Sequence, residues 1–459
     1  MTETDRNRSL EAGEAPKSAV TAVFSWLLVL LPAAFGLLYV RSFGVNVAVG
    51  DQWRVAHLFG KLASGTLGFA DLWNQLNEHR ILVPRIVILF LGRLTEWNNV
   101  AEMYATQVLL LVVVLALLRA FRSDVGTGPR FFFFIPVPFL VFSFRQSETM
   151  LMGLLVQFAL VLVFAVLAFY SLRGLHARAP SAGPFSVARL AFPLAVLSAT
   201  LSSLSSAHGL LVWPVGLAQL LLGPARGRTK PLLAGTWAAI GAVEWAVYFL
   251  GYEAPDRAQA PSAPSAAGEG LFYPVRFFVT SVGGALWGGQ GPALAVGACL
   301  LILVGVALFL VARSGELASS SFWLALMLFA CLVLASVTVG RAERGIEQAL
   351  VSRYATYSIV GVVGLYGTLA GLYLHRGSRA AAVAFTALLA LVLFSLPVAY
   401  ARGIEAGRQT EEVREWAASV VSTYDSQPDG ALALLYPNPQ VVRKRAPELE
   451  RLGYNVFSE

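Results

Sequence analysis

The sequence predicts an all-α fold: a polytopic transmembrane helical bundle of about eleven spanning helices, with interfacial helices in the first outer loop and a small C-terminal extracytoplasmic appendage. Three observations predict it. Apolar runs of roughly twenty residues recur along the chain, and each is long enough to cross a hydrocarbon core of ~30 Å as a helix. The composition is 57% hydrophobic and only 13% charged, and mean hydropathy is +0.66. The runs do not alternate apolar and polar residues, as the strands of a membrane β-barrel must.

A polar N-terminal tail, residues 1–19, precedes the first apolar run, which has no small-residue cleavage site and reads as a retained helix. Spanning helices are predicted near 20–40, 104–121, 131–144, 150–172, 188–207, 209–222, 231–250, 291–312, 320–340, 356–374 and 380–398. Two further apolar stretches, 81–96 and 271–288, carry Arg85, Arg93 and Arg276. A charge at the bilayer centre costs roughly 3 kcal/mol on insertion scales, so both stretches suit the interface better than a crossing. The loop 254–270 is rich in Pro, Ala, Ser and Gly and reads as a linker, with a lid over a site as the other reading. Residues 20–399 form the transmembrane domain, with residues 41–103 as its large first outer loop, and 400–459 form the soluble appendage.

The short loops that contain Arg119, Arg122, Arg130, Arg173, Arg226, Arg228, Lys230, Arg313 and Arg376 are strongly basic. Basic loops stay cytoplasmic. The N-terminus is therefore expected in the cytoplasm and the C-terminus outside, in a multi-pass protein of the inner (plasma) membrane. The net charge of +7 follows from this bias and implies no nucleic acid. Cys299 and Cys331 lie inside apolar runs and read as small core residues.

Candidate chemistry gathers on the outer side. The first loop holds Asp51, then an amphipathic stretch with Val55, Leu58, Phe59 and Leu62 at helical spacing, then Glu78, His79 and Arg80 just before the next apolar run. The stretch suits a helix lying on the membrane. Asp51 is either its cap or a surface carboxylate that works as a base. In SFRQSETM, Arg145 and Glu148 stand at i, i+3, as an ion pair or as part of a site. In GRAERGIEQALVSRYATYS, Arg341, Arg344 and Arg353 run against the topological bias. They are there for phosphate, which guanidinium forks bind well, or for salt bridges with Glu343 and Glu347. Glu244 is a lone acid in an apolar run, readable as a transporter's coupling site or as an interfacial residue. No P-loop, GxSxG, HExxH or dinucleotide motif occurs, and no His-rich metal centre.

GDQWRVAHLFGKLASG, NEHRILVPRIVILFLGRL and FFFFIPVPFLVFSFRQSETMLMGLL stand in that order in the first 180 or so residues. Together they resemble the GT-C class of membrane glycosyltransferases, of the aminoarabinose- and mannosyl-transferase kind. That resemblance implies a hexosyl- or pentosyltransferase that moves a sugar from a polyprenyl-phosphate-linked donor to an extracytoplasmic acceptor: cell-envelope glycan, lipid or protein. It implies Asp51 and Glu148 as catalytic acids, and Glu78, His79, Arg80, Arg145, Arg341 and Arg353 as substrate-binding residues. No residues are assigned to a metal, although the class leaves a divalent metal open as a cofactor. A transporter or lipid flippase, or a non-catalytic protein of the same fold, are the rival readings. A transporter would need more polar residues along its helices than Glu244, Gln157 and Gln219.

Overall fold

An apolar run in lipid can satisfy its backbone N–H and C=O groups only within itself, so it coils. The computed structural model, which describes residues 15–126, 129–175, 187–223, 229–254, 270 and 272–458, is helical almost throughout. The chain enters with α1 (Ala15–Phe43) and builds a headpiece from α2 (Trp53–Ala63), α3 (Phe69–Trp73), a hairpin of β1 (Gln75–Leu76) and β2 (His79–Arg80), and α4 (Leu82–Thr95). Next come α5 (Asn99–Val125), the short α6 (Pro136–Val141) and α7 (Ser147–Leu151), then α8 (Val156–Gly174), α9 (Val187–Ser203), α10 (Val212–Leu222) and α11 (Thr229–Phe249). After these follow α12 (Phe272–Gly283), α13 (Gln290–Ser314), α14 (Ser321–Arg341) and α15 (Ser352–Arg376). The chain finishes with α16 (Arg379–Ser422), α17 (Asp429–Leu435), α18 (Pro439–Leu452) and a 3-10 turn, Asn455–Phe457.

Among the described residues, eight helices are long and apolar enough to cross a membrane: α1, α5, α8, α11, α13, α14, α15 and α16. The protein is a polytopic all-α membrane protein. Three of the eleven expected segments are shorter or broken. Residues 131–144 are not one helix: a 3-10 turn, Pro129–Phe134, gives way to α6 at Pro136, where proline supplies no N–H to continue the ladder. The segment still connects both ends of the bundle. Phe131 lies under the Arg122 guanidinium at one end, and Arg145 donates to the Gly284 carbonyl at the other. The helices α9 and α10 behave alike. Leu204, just past α9, accepts from Val83 of the headpiece, and Gln219 of α10 reaches the Phe169 carbonyl near the far end of α8. That far end is fastened by Asp124, which accepts from Arg173 and from Trp323 Nε1. Cys299 departs from the expected core position: it is exposed on α13, and Cys331 is half-buried, both unpaired. The expected linker 254–270 lies almost wholly outside the described residues.

The boundary expected at residue 400 falls inside one helix. The 44-residue α16 continues past the apolar run into EEVREWAASVVS. The C-terminal region does not stand apart either. The end of α16, α17 and α18 share a second hydrophobic core with the first large loop: Trp53, Val55, Leu58, Phe59, Leu76, Ile88 and Trp97 meet Val420, Leu432, Leu435, Val442, Ala446 and Leu449. This corrects the reading of α2. Its apolar stripe does not lie on lipid; Val55, Leu58 and Phe59 are buried at 0–1% exposure, chiefly by α18. A stripe at helical spacing demands a cover but does not say which. The exposed apolar face belongs to α4, which turns Ile86, Phe90 and Leu94 outward at 50%, 64% and 68% exposure.

A set of buried amides closes the headpiece. Asn455, at φ +61°, receives the Ala48 N–H on Oδ1 at 2.9 Å, and its Nδ2 donates to Asn46 Oδ1 at 3.1 Å and to the Trp97 carbonyl at 3.3 Å. Its own carbonyl accepts from Asn46 Nδ2 at 2.9 Å. Asn455→Ala leaves the buried Ala48 N–H without its acceptor and takes a donor from Asn46 Oδ1 and the Trp97 carbonyl. The expected cost is about 2–3 kcal/mol, read as a lower unfolding temperature of the purified protein in detergent. An unchanged temperature would show that these bonds do not hold the C-terminus down.

Candidate functional site

The hairpin is the pivot of the site. Gln75 pairs with Arg80 and Leu76 with His79, so Asn77 and Glu78 form a two-residue loop. Such loops twist correctly when the first residue adopts the left-handed conformation, which Asn tolerates; Asn77 has φ +51°. Arg80 anchors the hairpin from behind. Its Nε donates to the Tyr248 carbonyl at 2.7 Å, NH1 to Trp73 at 3.1 Å and NH2 to Leu250 at 2.6 Å. These bonds occupy all three guanidinium nitrogens. Arg80 therefore positions the loop and does not face the cavity expected to hold substrate, a correction to its assignment as a substrate ligand.

Between headpiece and bundle lies a cavity of about 600 Å³. It is lined by Asp51, Glu78, His79, Glu148, Arg341 and Arg353, six of the eight singled-out residues, which come from four separate stretches of chain. Two ion pairs tie those stretches together. Arg341 NH2 meets Glu78 Oε1 at 2.9 Å, joining the end of α14 to the hairpin. Arg353 NH1 meets Glu148 Oε1 at 2.5 Å, joining the start of α15 to the 143–150 turn. The Arg145–Glu148 pair does not form. Arg145 turns away to the Gly284 carbonyl at 3.1 Å and lies outside the cavity wall. Burial, with Arg402 nearby, lowers its pKa to about 10, so it remains a cation behind the wall at neutral pH. Ser352 seats the turn: its hydroxyl donates to the Arg145 carbonyl at 2.9 Å and accepts from the Glu148 N–H at 3.1 Å.

Asp51 is not the cap of α2. It sits in a 3-10 turn, Gly50–Gln52, and its Oδ2 accepts from Asn77 Nδ2 at 2.8 Å. Gln52 fixes the turn, accepting from the Val49 N–H at 3.2 Å and donating to Asn99 Oδ1 at 2.7 Å. That leaves Asp51 Oδ1 without a hydrogen bond among the described residues. His79 is half-buried in the cavity lining. Desolvation is the main cause of its lowered pKa, Glu78 opposes it, and Arg341 and Arg353 add to it. The ring is neutral at pH 7, so it offers a hydrogen bond and not a charge. It lies 5.4 Å from the His208 ring, centroid to centroid.

Much of the remaining lining is apolar: Leu154, Phe158, Leu210, Leu211 and Val337, with Trp245, Phe249 and Val339. The last three are 39%, 45% and 77% exposed, so apolar lining is continuous with exposed apolar surface. The cavity thus offers contacts both to a charged group and to a hydrocarbon chain. Among the described residues, no three His, Cys, Asp or Glu side chains come together to hold a metal ion. The Glu148 carboxylate is also engaged by Arg353.

Sequence reasoning passed over Asn77 and Tyr354 in the cavity lining and Ser352, which seats the turn beside it, and weighed Glu244 without its neighbour. Asn77 carried a signal: an Asn between two short β-capable stretches marks a tight hairpin. Ser352 carried none, because its partners are about two hundred residues away. Glu244 is half-buried on α11 beside the Thr200 side chain and does not line the cavity.

No family model matches the chain. A 74-residue stretch is 36% identical to an uncharacterized protein of Archaeoglobus fulgidus, a match that takes in 16% of this chain and 19% of that one. In overall structure the chain is similar, at a TM-score of 0.48 and 13% identity, to the archaeal oligosaccharyltransferase AglB from Archaeoglobus fulgidus, solved with an inhibitory peptide and a dolichol-phosphate. The alignment covers 92% of this chain and 60% of that longer one.

The headpiece histidines make stability depend on pH. Burial first, and Arg445 second, lower the His57 pKa to about 4, below its unfolded value of ~6.5. A lowered histidine favours the folded state while neutral. Its contribution is complete above pH ~6.5 and is lost as pH falls toward 4. The unfolding temperature is expected to drop over that window, and His57→Gln to shrink the drop. An identical pH profile in the variant would exclude His57 as the cause.

Proposed function

We propose that this protein is a membrane glycosyltransferase that moves a hexose or pentose from a polyprenyl-phosphate-linked donor to a hydroxyl of an extracytoplasmic acceptor. The observation that carries the reading is the mixed lining of the cavity. Acids and arginines share it with apolar side chains, three of them partly exposed, as an amphiphile with a charged head and a long hydrocarbon tail requires.

In this reading the tail passes Trp245, Phe249 and Val339, and the phosphate meets Arg341 and Arg353. Each arginine gives only one nitrogen to its carboxylate and keeps donors for phosphate oxygens. The three carboxylates on the wall outnumber its two arginines. Three features offset that excess. Arg145 and Arg414 are buried behind the wall, and Arg414 is close enough to Glu148 for the two charges to interact. The N-terminus of α15, which begins at Ser352, turns its positive end to the same place.

Asp51 is the base. An acceptor hydroxyl gives its proton to the free Asp51 oxygen as its own oxygen bonds the anomeric carbon. The bond from that carbon to the phosphate oxygen breaks, and the electron pair leaves with the polyprenyl phosphate, its charge met by Arg341 and Arg353. A single in-line displacement inverts the anomeric centre. Glu148 holds Arg353 in place, and Glu78 does the same for Arg341.

Asp51→Asn is the discriminating variant. Asn keeps an oxygen to accept from Asn77, so the fold is retained, but it cannot take a proton. Transfer from a radiolabelled lipid-linked sugar in membranes is expected to fall by about two to four orders of magnitude. Full activity would remove the catalytic reading. Arg353→Gln is expected to weaken donor binding instead, by about tenfold or more.

The orientation we propose has eleven crossings, with a cytoplasmic N-terminus and the headpiece and C-terminus outside. Reporter fusions after Arg130 and Lys230 should signal from the cytoplasm, and one after Glu459 from outside. A cytoplasmic signal from the last fusion would overturn the crossing number.

A further inference from the structure

The hairpin has a second face. Beyond it lies another hollow, of about 710 Å³, lined by Arg54, His57, Asp71, Arg85 and Glu253 among others. It shares Leu76 and Asn77 with the first cavity, so the hairpin is the wall between the two. Nothing in the reading above uses it.

Its charges are uneven. Asp71 is taken by Lys61, and Glu253 is joined to the hairpin through its backbone, with N–H and carbonyl bonded to the Gln75 side chain. Against these stand Arg54 and Arg85. Arg85 is only 3% exposed. Its NH1 serves the Leu72 and Asn74 carbonyls, while its buried Nε has no partner. A buried guanidinium with unused donors lining a polar hollow is built for an anion, since an unmet charged donor is costly and a planar fork suits oxyanions. Arg54 donates to Asn77 Oδ1 at 2.8 Å, and Asn77 donates in turn to Asp51. One side chain therefore links the hollow to the proposed base.

We infer that this hollow binds an oxyanion of the acceptor, a phosphate or carboxylate group, through Arg54 and Arg85, and so sets the acceptor hydroxyl on the far side of Asn77 toward Asp51. The inference rests on the transferase reading for the word acceptor; the oxyanion site itself does not. An acidic acceptor would bridge the hairpin, its anion in one hollow and its hydroxyl at the edge of the other. A neutral acceptor would leave Arg85 unmet.

The test uses the full chain in phosphatidylcholine nanodiscs and two probes, inorganic phosphate and polyprenyl phosphate, with binding measured by calorimetry. Arg54→Gln and Arg85→Gln are expected to weaken phosphate binding by about tenfold or more and to leave polyprenyl-phosphate binding unchanged. Arg353→Gln is expected to do the reverse. If Arg85→Gln fails to fold, Arg54→Gln decides alone, because its bond to Asn77 is replaceable by the glutamine amide. Absence of phosphate binding in the wild type, or binding indifferent to both variants, overturns the site. Loss of polyprenyl-phosphate binding in the wild type with phosphate binding intact would instead sink the transferase reading and leave the oxyanion site standing. Phosphatidylglycerol nanodiscs separate the sources: phosphate binding suppressed there assigns the site to a lipid headgroup, and binding undiminished there assigns it to a soluble anion.

Discussion

A row of amides holds the C-terminal turn to the segment around residues 46–52 and to the start of α5. Asn455 from the last turn binds Asn46 and Ala48, Asn46 accepts from the Asn99 N–H at 2.9 Å, and Asn99 accepts from Gln52. Gln52 stands next to Asp51. The position of the proposed base is thus fixed from the C-terminus, through four side-chain amides that are all needed at once. Amides suit this work better than charges. Each both donates and accepts, so a row of them can be satisfied inside a protein without the desolvation cost an ion would carry. The hydrophobic core beneath, with Trp53, Phe59 and Trp97 against α18, supplies the driving force; the amides supply the register.

The two ion pairs have a different character. Glu78–Arg341 and Glu148–Arg353 are partly exposed, so solvent screens them and each contributes modestly to stability. Their value is in geometry. Each joins a headpiece or turn residue to a helix end more than two hundred residues away in sequence. They also keep acid and base at close range without neutralising the whole donor fork. A pair that is half-wet exchanges partners more cheaply than a buried one, which is what a phosphate arriving between two arginines demands.

Much of the fold was legible because lipid leaves few choices. Eight apolar runs became full-length helices, and α4 leaves one apolar face exposed. What could not be read was the partner of each surface. The stripe on α2 looked like a membrane face because nothing in fourteen residues says that a helix near residue 445 will cover it. The same reason hid the true partner of Glu148. Local spacing proposed Arg145, three residues away; the fold supplied Arg353, held opposite by Ser352. Acids, arginines and a histidine gathered in polar segments between the apolar runs were visible as a set, and six of them do meet in one cavity. Arg80 shows the limit of that logic. Residue type does not distinguish a guanidinium that waits for phosphate from one that has spent its donors on carbonyls.

The hairpin explains why so small a sheet exists in a helical protein. A helix through residues 75–80 would scatter Glu78, His79 and Arg80 by about 100° each, and no two would serve one cavity wall. An extended pair alternates its side chains between faces, and a two-residue loop projects Asn77 and Glu78 from its tip. Glu78 then reaches Arg341 on one side, while Asn77 holds Asp51 with its amine and Arg54 with its carbonyl. A wall one strand-pair thick separates two polar hollows while letting a single side chain touch groups in both. That thinness is the physical basis for coupling what binds on one face to the carboxylate on the other, and it requires Arg80 to be exactly the kind of residue it is: a long cation tethered to three carbonyls, holding a strip with almost no core of its own against the end of α11.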